Sequence, residues 1–185
     1  MRGLLVLVVT LLLSARASAG EMVIDDFTGG TSGLGTEWRL VTDGVMGGRS
    51  SGQLWRAEVE GRPALCLRGD VSLENQGGFV QMALDLALSG TFDASAYGGL
   101  WLLVRGNGET YNLHLRTADL WLPWQSYRSA FTAGEEWQEV RLPFTGFTPY
   151  RVETRLDTRR LRRLGLVAIG RAFTAELCVA GIGLY

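Results

Sequence analysis

Apolar side chains recur at every second position through much of this chain, and that period of two limits its fold more than any other feature. The longest such run consists of Val80, Met82, Leu84, Leu86 and Leu88. Because successive side chains of a β-strand point to opposite faces, this alternation predicts a strand with one buried face. Residues 111–116 alternate in the same way. The pattern therefore favours a sheet protein over a helical one.

Short apolar runs between glycine-rich turns predict the remaining strands. They lie at 22–27, 53–59, 63–68, 98–104, 125–131, 137–142, 164–169 and 177–185. One helical turn is predicted at 157–163, with Asp157 as its cap. Many short strands at this spacing are typical of a β-sandwich or jelly roll. A chain of 185 residues is long enough for one self-sufficient core, so residues 20–185 are predicted to form a single all-β domain.

The amino terminus has the features of an export signal. Arg2 is followed by ten mostly apolar residues, 4–13, and the sequence Ala17-Ser-Ala19 matches a small-x-small cleavage site. Residues 1–19 are therefore predicted to be a signal peptide. Ten residues are too few to span a bilayer, which takes about 20. The mature chain is thus expected to be periplasmic or secreted, with no membrane span after signal removal.

Charge and residue counts exclude several classes of protein. The net charge is −1, which argues against a nucleic-acid partner, because such proteins are normally basic. One histidine and two cysteines do not supply a multi-histidine or zinc-finger set, so no metal or other cofactor is expected. In an oxidising compartment Cys66 and Cys178 either form a disulfide or remain two buried thiols.

Residues 48–52, GRSSG, match the G-x-S-x-G pattern of serine hydrolases. That chemistry places the serine on a strand-to-helix turn and needs a histidine base later in the chain. Here a predicted strand follows Ser50, and the only histidine, His114, stands within another strand. We therefore expect Ser50 not to be a nucleophile and the protein not to be an enzyme.

Two further segments are candidates for binding. Asn112, His114 and Arg116 share one face of a predicted strand, and that face either meets solvent or lines a binding concavity. The segment from Trp121 through Trp124 and Gln125 to Tyr127 is dense in aromatic residues. Such rings form platforms for sugars or proteins when exposed, or fill the core when buried.

Residues 38–51, WRLVTDGVMGGRSS, resemble the signature of the complex I intermediate-associated protein 30 family. Later segments agree in order, at 73–79, 97–100, 104–111, 137–144 and 163–166. The resemblance implies a galactose-binding-domain-like β-sandwich of jelly-roll type. It also implies an assembly chaperone without enzymatic activity, since mitochondrial members assist the assembly of respiratory complex I. This chain carries an export signal where those members carry a mitochondrial presequence.

The same resemblance draws attention to the loop at 43–50 as a binding site. Its candidate residues are Asp43, Gly44, Met46, Gly47, Gly48, Arg49 and Ser50. The glycines permit positive φ or close backbone approach, Asp43 and Ser50 can bond to turn N–H groups, and Arg49 is placed to pair with Asp43 or to reach a ligand. Met46 is placed to pack beneath the loop. A self-contained turn that joins two strands is the alternative.

The sequence as a whole favours an exported binding module with a protein partner, acting as an assembly or chaperone-like factor. Its candidate contacts are the loop at 43–50, the polar face of Asn112, His114 and Arg116, and Trp124. The alternative is a carbohydrate-binding module that uses Trp121, Trp124 and Tyr127.

Overall fold

Residues 20–185 are the part of the chain that this computed structural model describes, and the predicted signal peptide at 1–19 lies outside it. Twelve strands form within that part. They are β1 (Met22–Asp25), β2 (Trp38–Thr42), β3 (Ser51–Val59), β4 (Arg62–Val71), β5 (Phe79–Asp85), β6 (Gly99–Gly106), β7 (Thr110–Thr117), β8 (Ser126–Thr132), β9 (Gln138–Pro143), β10 (Thr148–Tyr150), β11 (Leu161–Ile169) and β12 (Phe173–Leu184). Four short 3₁₀ turns, at Asp43–Met46, Glu74–Gln76, Phe144–Gly146 and Thr158–Arg160, complete the described secondary structure.

The strands pair antiparallel in two six-stranded sheets. The first sheet has the order β3-β4-β12-β6-β9, with β1 also paired to β12. The second has the order β10-β8-β7-β11-β5-β2. Strands distant in sequence are neighbours in both sheets, and the two sheets pack face to face as a jelly-roll sandwich. The predicted all-β fold is thus confirmed.

The alternating residues of each strand divide between the core and the outer faces. Val80, Met82 and Leu84 of β5 are fully buried, as the period of two predicted. The strand ends at Asp85, however, so Leu88 is not part of it and is 81% exposed. The alternation in sequence therefore continues beyond the segment that the sheet uses.

Two strands, β2 and β10, were not predicted from the sequence. β2 is only five residues long and all five are partly exposed, so its apolar pattern is weak. All three residues of β10, Pro149 among them, are exposed, and the strand stands at a sheet edge, where proline costs no ladder hydrogen bond. At the predicted helical turn, Asp157 does cap a 3₁₀ turn, by accepting a hydrogen bond from Arg159 N. Leu161 already belongs to β11.

Cys66 and Cys178 stand directly opposite each other on β4 and β12. Their sulfur atoms are bonded, at 2.04 Å, and the bridge joins positions 112 residues apart. The disulfide therefore links two central strands of the first sheet.

Candidate functional site

The loop at 43–50 is built around one buried carboxylate. Asp43 is completely buried. Its Oδ1 accepts a hydrogen bond from Ser50 N at 2.9 Å, and its Oδ2 accepts bonds from Ser50 Oγ at 2.5 Å, Gly78 N at 2.5 Å and Phe79 N at 3.3 Å. Residues 35 and 36 positions away are thereby tied to the β2–β3 loop. The carboxylate joins the β2–β3 loop to the start of β5.

These hydrogen bonds also set the charge of Asp43. Burial alone raises the pKa of a carboxyl group, because it disfavours the charged form. At Asp43 the bonds donated by Ser50, Gly78 and Phe79 outweigh burial and hold the pKa below its ordinary value. The group is therefore ionised at neutral pH, with its charge satisfied by protein donors.

The glycines beside Asp43 are there because side chains would not fit. A Cβ on Gly48 would lie 2.3 Å from Asp43 Cγ, and one on Gly77 would lie 2.4 Å from Asp43 Oδ2. Gly47 has a φ of 86°, in the left-handed region that favours glycine. At Gly44 the backbone N–H donates to Thr42 Oγ1. The glycine-rich signature thus encloses a buried acid.

Two apolar side chains project from this loop. Val45 is 75% exposed and Met46 is 51% exposed, so Met46 does not pack beneath the loop as expected. Arg49 pairs with Glu74 at 3.4 Å rather than with Asp43, and Asn75 Nδ2 donates to Gly47 O at 3.3 Å. The loop at 72–78 therefore braces the loop at 43–50. We call the two projecting side chains, Val45 and Met46, the apolar tip.

The Ser50 hydroxyl makes hydrogen bonds that connect two loops of the fold. It donates to Asp43 and accepts from Ser72 N at 3.0 Å, and the residue is nearly buried. Both bonds connect loops of the fold. This serine holds the β2–β3 and β4–β5 loops together.

Asn112, His114 and Arg116 do share the outer face of β7, as the alternation predicted. Gly165 of β11 lies opposite His114 on one side and Arg128 of β8 on the other. His114 is 91% buried, since its relative exposure is 9%, and its Nε2 has no hydrogen-bond partner. Burial, with a smaller contribution from the Arg128 charge, lowers the pKa of His114 to about 3. The imidazole is therefore neutral at physiological pH.

Arg116 has a role that its place in the strand pattern did not indicate. Its guanidinium donates hydrogen bonds to four carbonyl oxygens of the following loop. They belong to Leu120 at 3.2 Å, Leu122 at 2.9 Å, Pro123 at 2.7 Å and Gln125 at 2.9 Å. The side chain thus shapes the β7–β8 loop from within. An arginine four residues before a loop with two tryptophans was the only signal in the sequence.

That loop carries an exposed aromatic pair. Trp121 is 89% exposed and Trp124 is 44% exposed. Tyr127 is buried, and its hydroxyl donates to Arg155 O at 3.2 Å. The Gln125 side chain is used within the fold, donating to Arg151 O. Of the aromatic residues predicted here, only the two tryptophans are available to a ligand.

The predicted residues do not form one site. Thr42 pairs with Val80, and Asp43 follows it, so the loop at 43–50 lies at one end of the second sheet. The loop that Arg116 braces follows the opposite end of β7. Within residues 20–185, no three His, Cys, Asp or Glu side chains come together as a metal site. None of the helical segments described is long and apolar enough to cross a membrane.

Several solved structures with the same architecture are described as carbohydrate-binding modules. The family 11 module of a cellulosomal cellulase of Clostridium thermocellum aligns with a TM-score of 0.72 and 13% identity, covering 91% of this chain and 95% of that one. A family 30 module of another Clostridium thermocellum cellulase aligns with a TM-score of 0.56 and 18% identity, over 72% and 82%. An agarase aligns over 90% of this chain but only 24% of its own, with a TM-score of 0.59 and 11% identity.

These likenesses, at such low identity, show the fold alone: a galactose-binding-like jelly-roll sandwich. Among curated proteins, none matches this sequence. The family model described as complex I intermediate-associated protein 30 matches residues 26–179. The chain belongs to the complex I intermediate-associated protein 30 family.

Proposed function

We propose that this chain is an exported, non-catalytic binding module that assists the assembly or stability of another protein. The observation that carries the proposal is the apolar tip, two largely exposed hydrophobic side chains on a loop anchored by the buried Asp43. Apolar side chains, methionine among them, form the desolvated centre of protein interfaces. A loop that is already ordered loses little entropy on binding. Membership of the family supports the assembly role, and the predicted signal peptide supports export.

The contacts of two potential catalytic groups support a non-enzymatic role. The Ser50 hydroxyl is bonded to Asp43 and to the Ser72 backbone. His114 is neutral and nine-tenths buried on β7. The Ser50 hydroxyl is therefore occupied by structural hydrogen bonds, and binding by the loop surface needs neither group.

The test is site-specific photo-crosslinking in the native cell envelope. A photoreactive residue is placed at position 45, and a matched one at Leu88, which is 81% exposed outside the tip. The expected result is one protein adduct from position 45 only, and much less of it when Met46→Ser is combined with the photoreactive residue at position 45. That variant is expected to fold, because both side chains are mostly exposed. The same adducts from both positions would refute the assignment.

Carbohydrate binding is the second candidate, and one observation favours it. Trp121 and Trp124 are exposed on a loop that Arg116 holds in place through four carbonyls. Exposed indoles on a rigid loop suit stacking against sugar rings. Titration with soluble oligosaccharides tests it: affinity lost in Trp124→Ala supports this function, and affinity that survives in Trp121→Ala with Trp124→Ala refutes it.

A further inference from the structure

A groove of about 280 Å³ opens on the outer face of the first sheet. Trp55, Cys66, Cys178 and Arg105 form one row across β3, β4, β12 and β6, each opposite the next. Their neighbours in sequence, such as Leu54 and Leu67, pack toward the core. The row therefore faces away from the interior. The groove lies on the other sheet from Trp121 and Trp124.

One wall of the groove is an exposed indole. Trp55 is 42% exposed although it stands in the middle of a nine-residue strand. Beside it lies the disulfide of Cys178, which lines the groove. An indole face next to a disulfide gives a flat apolar surface, whereas a water-facing strand position is normally polar. This surface is suited to stacking with a flat-faced ligand.

Charged pairs stand on both sides of the indole. Arg105 Nη1 lies 2.6 Å from Glu60 Oε1, and Arg68 Nε lies 3.4 Å from Glu176 Oε1. The two cations and two anions balance, so a charged ligand gains no net attraction and must compete with an existing ion pair. A neutral ligand with many hydroxyl groups bonds to both signs at once, because guanidinium donates and carboxylate accepts.

We propose that this groove binds a short neutral saccharide, one ring of which stacks on Trp55. Small-molecule sites measure about 300–1,000 Å³, so this groove, at about 280 Å³, lies just below that range and suits only a short saccharide. The saccharide hydroxyl groups bond to the Arg68–Glu176 and Arg105–Glu60 pairs. The site is separate from the apolar tip and from the Trp121–Trp124 loop. Whether this groove binds a saccharide is therefore independent of the proposed protein-binding function.

The test uses the purified mature protein and defined probes. Neutral tetrasaccharides of glucose, xylose, mannose and galactose units, together with an oligouronate as a charged probe, are titrated to about 10 mM by tryptophan fluorescence and by ¹H–¹⁵N NMR. We expect at least one neutral probe to bind with little dependence on salt and to shift the amide signals of residues 55, 68, 105 and 176. Trp55→Ala is expected to lower its affinity at least about tenfold, and Trp55→Phe less.

Matched variants separate this site from the others. Leu88→Ser, which removes an exposed apolar side chain outside every candidate site, is expected to leave the affinity unchanged. Thermal melts verify that the Trp55 variants are folded. Three results would overturn the proposal: no neutral probe binds, the affinity depends on Trp121 and not on Trp55, or only the oligouronate binds and does so with steep salt dependence.

Discussion

The buried carboxylate of Asp43 makes a strong prediction about stability. In Asp43→Asn the side chain keeps its size but loses its charge, and one oxygen becomes an NH₂ group. If the amide oxygen takes the Oδ2 position, the NH₂ faces Ser50 N–H, which loses its acceptor. Leaving a buried donor unpaired costs about 1–3 kcal/mol. The bonds from Ser50 Oγ, Gly78 N and Phe79 N persist without the charge that strengthens them.

The easier burial of a neutral amide offsets part of this loss, so we expect Asp43→Asn to lower the free energy of unfolding by about 3 kcal/mol. In a domain of this size each kcal/mol moves the midpoint by about 2–4 °C, which gives about 6–12 °C. Urea and thermal unfolding followed by circular dichroism measure both quantities. The exposed turn carboxylate of Asp93, which accepts from Ser95 N, supplies the control Asp93→Asn, expected to leave the midpoint nearly unchanged.

The pH dependence of stability tests the role of Asp43 separately. The folded pKa of Asp43 is below its ordinary value, so its stabilising contribution is present above about pH 4, the unfolded value, and is lost as the pH falls through the folded value. The stability difference between wild type and Asp43→Asn should be constant from pH 5 to 8 and should narrow below about pH 4. An unchanged midpoint at pH 7, or a difference that persists at low pH, would refute the assigned role.

Three further predictions concern other parts of the fold. His114 has a folded pKa of about 3 against about 6.5 when unfolded. The folded state holds the imidazole neutral, so the contribution of His114 to stability is fully present above about pH 6.5. Below that pH the free energy of unfolding should fall by about 1.4 kcal/mol per pH unit toward the folded pKa. In urea titrations, His114→Gln should flatten that slope between pH 6 and 4.5. Equal slopes in wild type and variant would contradict the prediction. Reduction of the Cys66–Cys178 bridge, which spans 112 positions, should lower the free energy of unfolding by about 5 kcal/mol in the chain-entropy model. The melting midpoint should therefore drop when reductant is added. The double variant Cys66→Ser with Cys178→Ser should melt at that lower midpoint with or without reductant. Arg116→Gln should release the loop at 120–125, measured as faster amide hydrogen exchange there than in wild type, with β5 as the internal reference; unchanged exchange would show that the four carbonyl bonds do not hold the loop.

Local pattern was enough to predict most of the sheets. The alternation at Val80, Met82 and Leu84 is a property of adjacent residues, and their burial in β5 follows from strand geometry. Strand β10, with Pro149 and no apolar alternation, exists because β8 supplies a partner edge. A strand defined by its neighbour leaves no periodic signal in its own residues.

The all-β class, the family and the candidate residues follow from the amino-acid sequence alone, because strand alternation and the glycine-rich signature are encoded at short range. What those residues do depends on how the strands pack together. Asp43 became a buried anchor because Gly78, 35 positions away, donates to it. Trp55 came to lie beside a disulfide because β3, β4 and β12 pair across the chain. Both outcomes depend on contacts between distant residues, and no local period in a chain specifies those contacts.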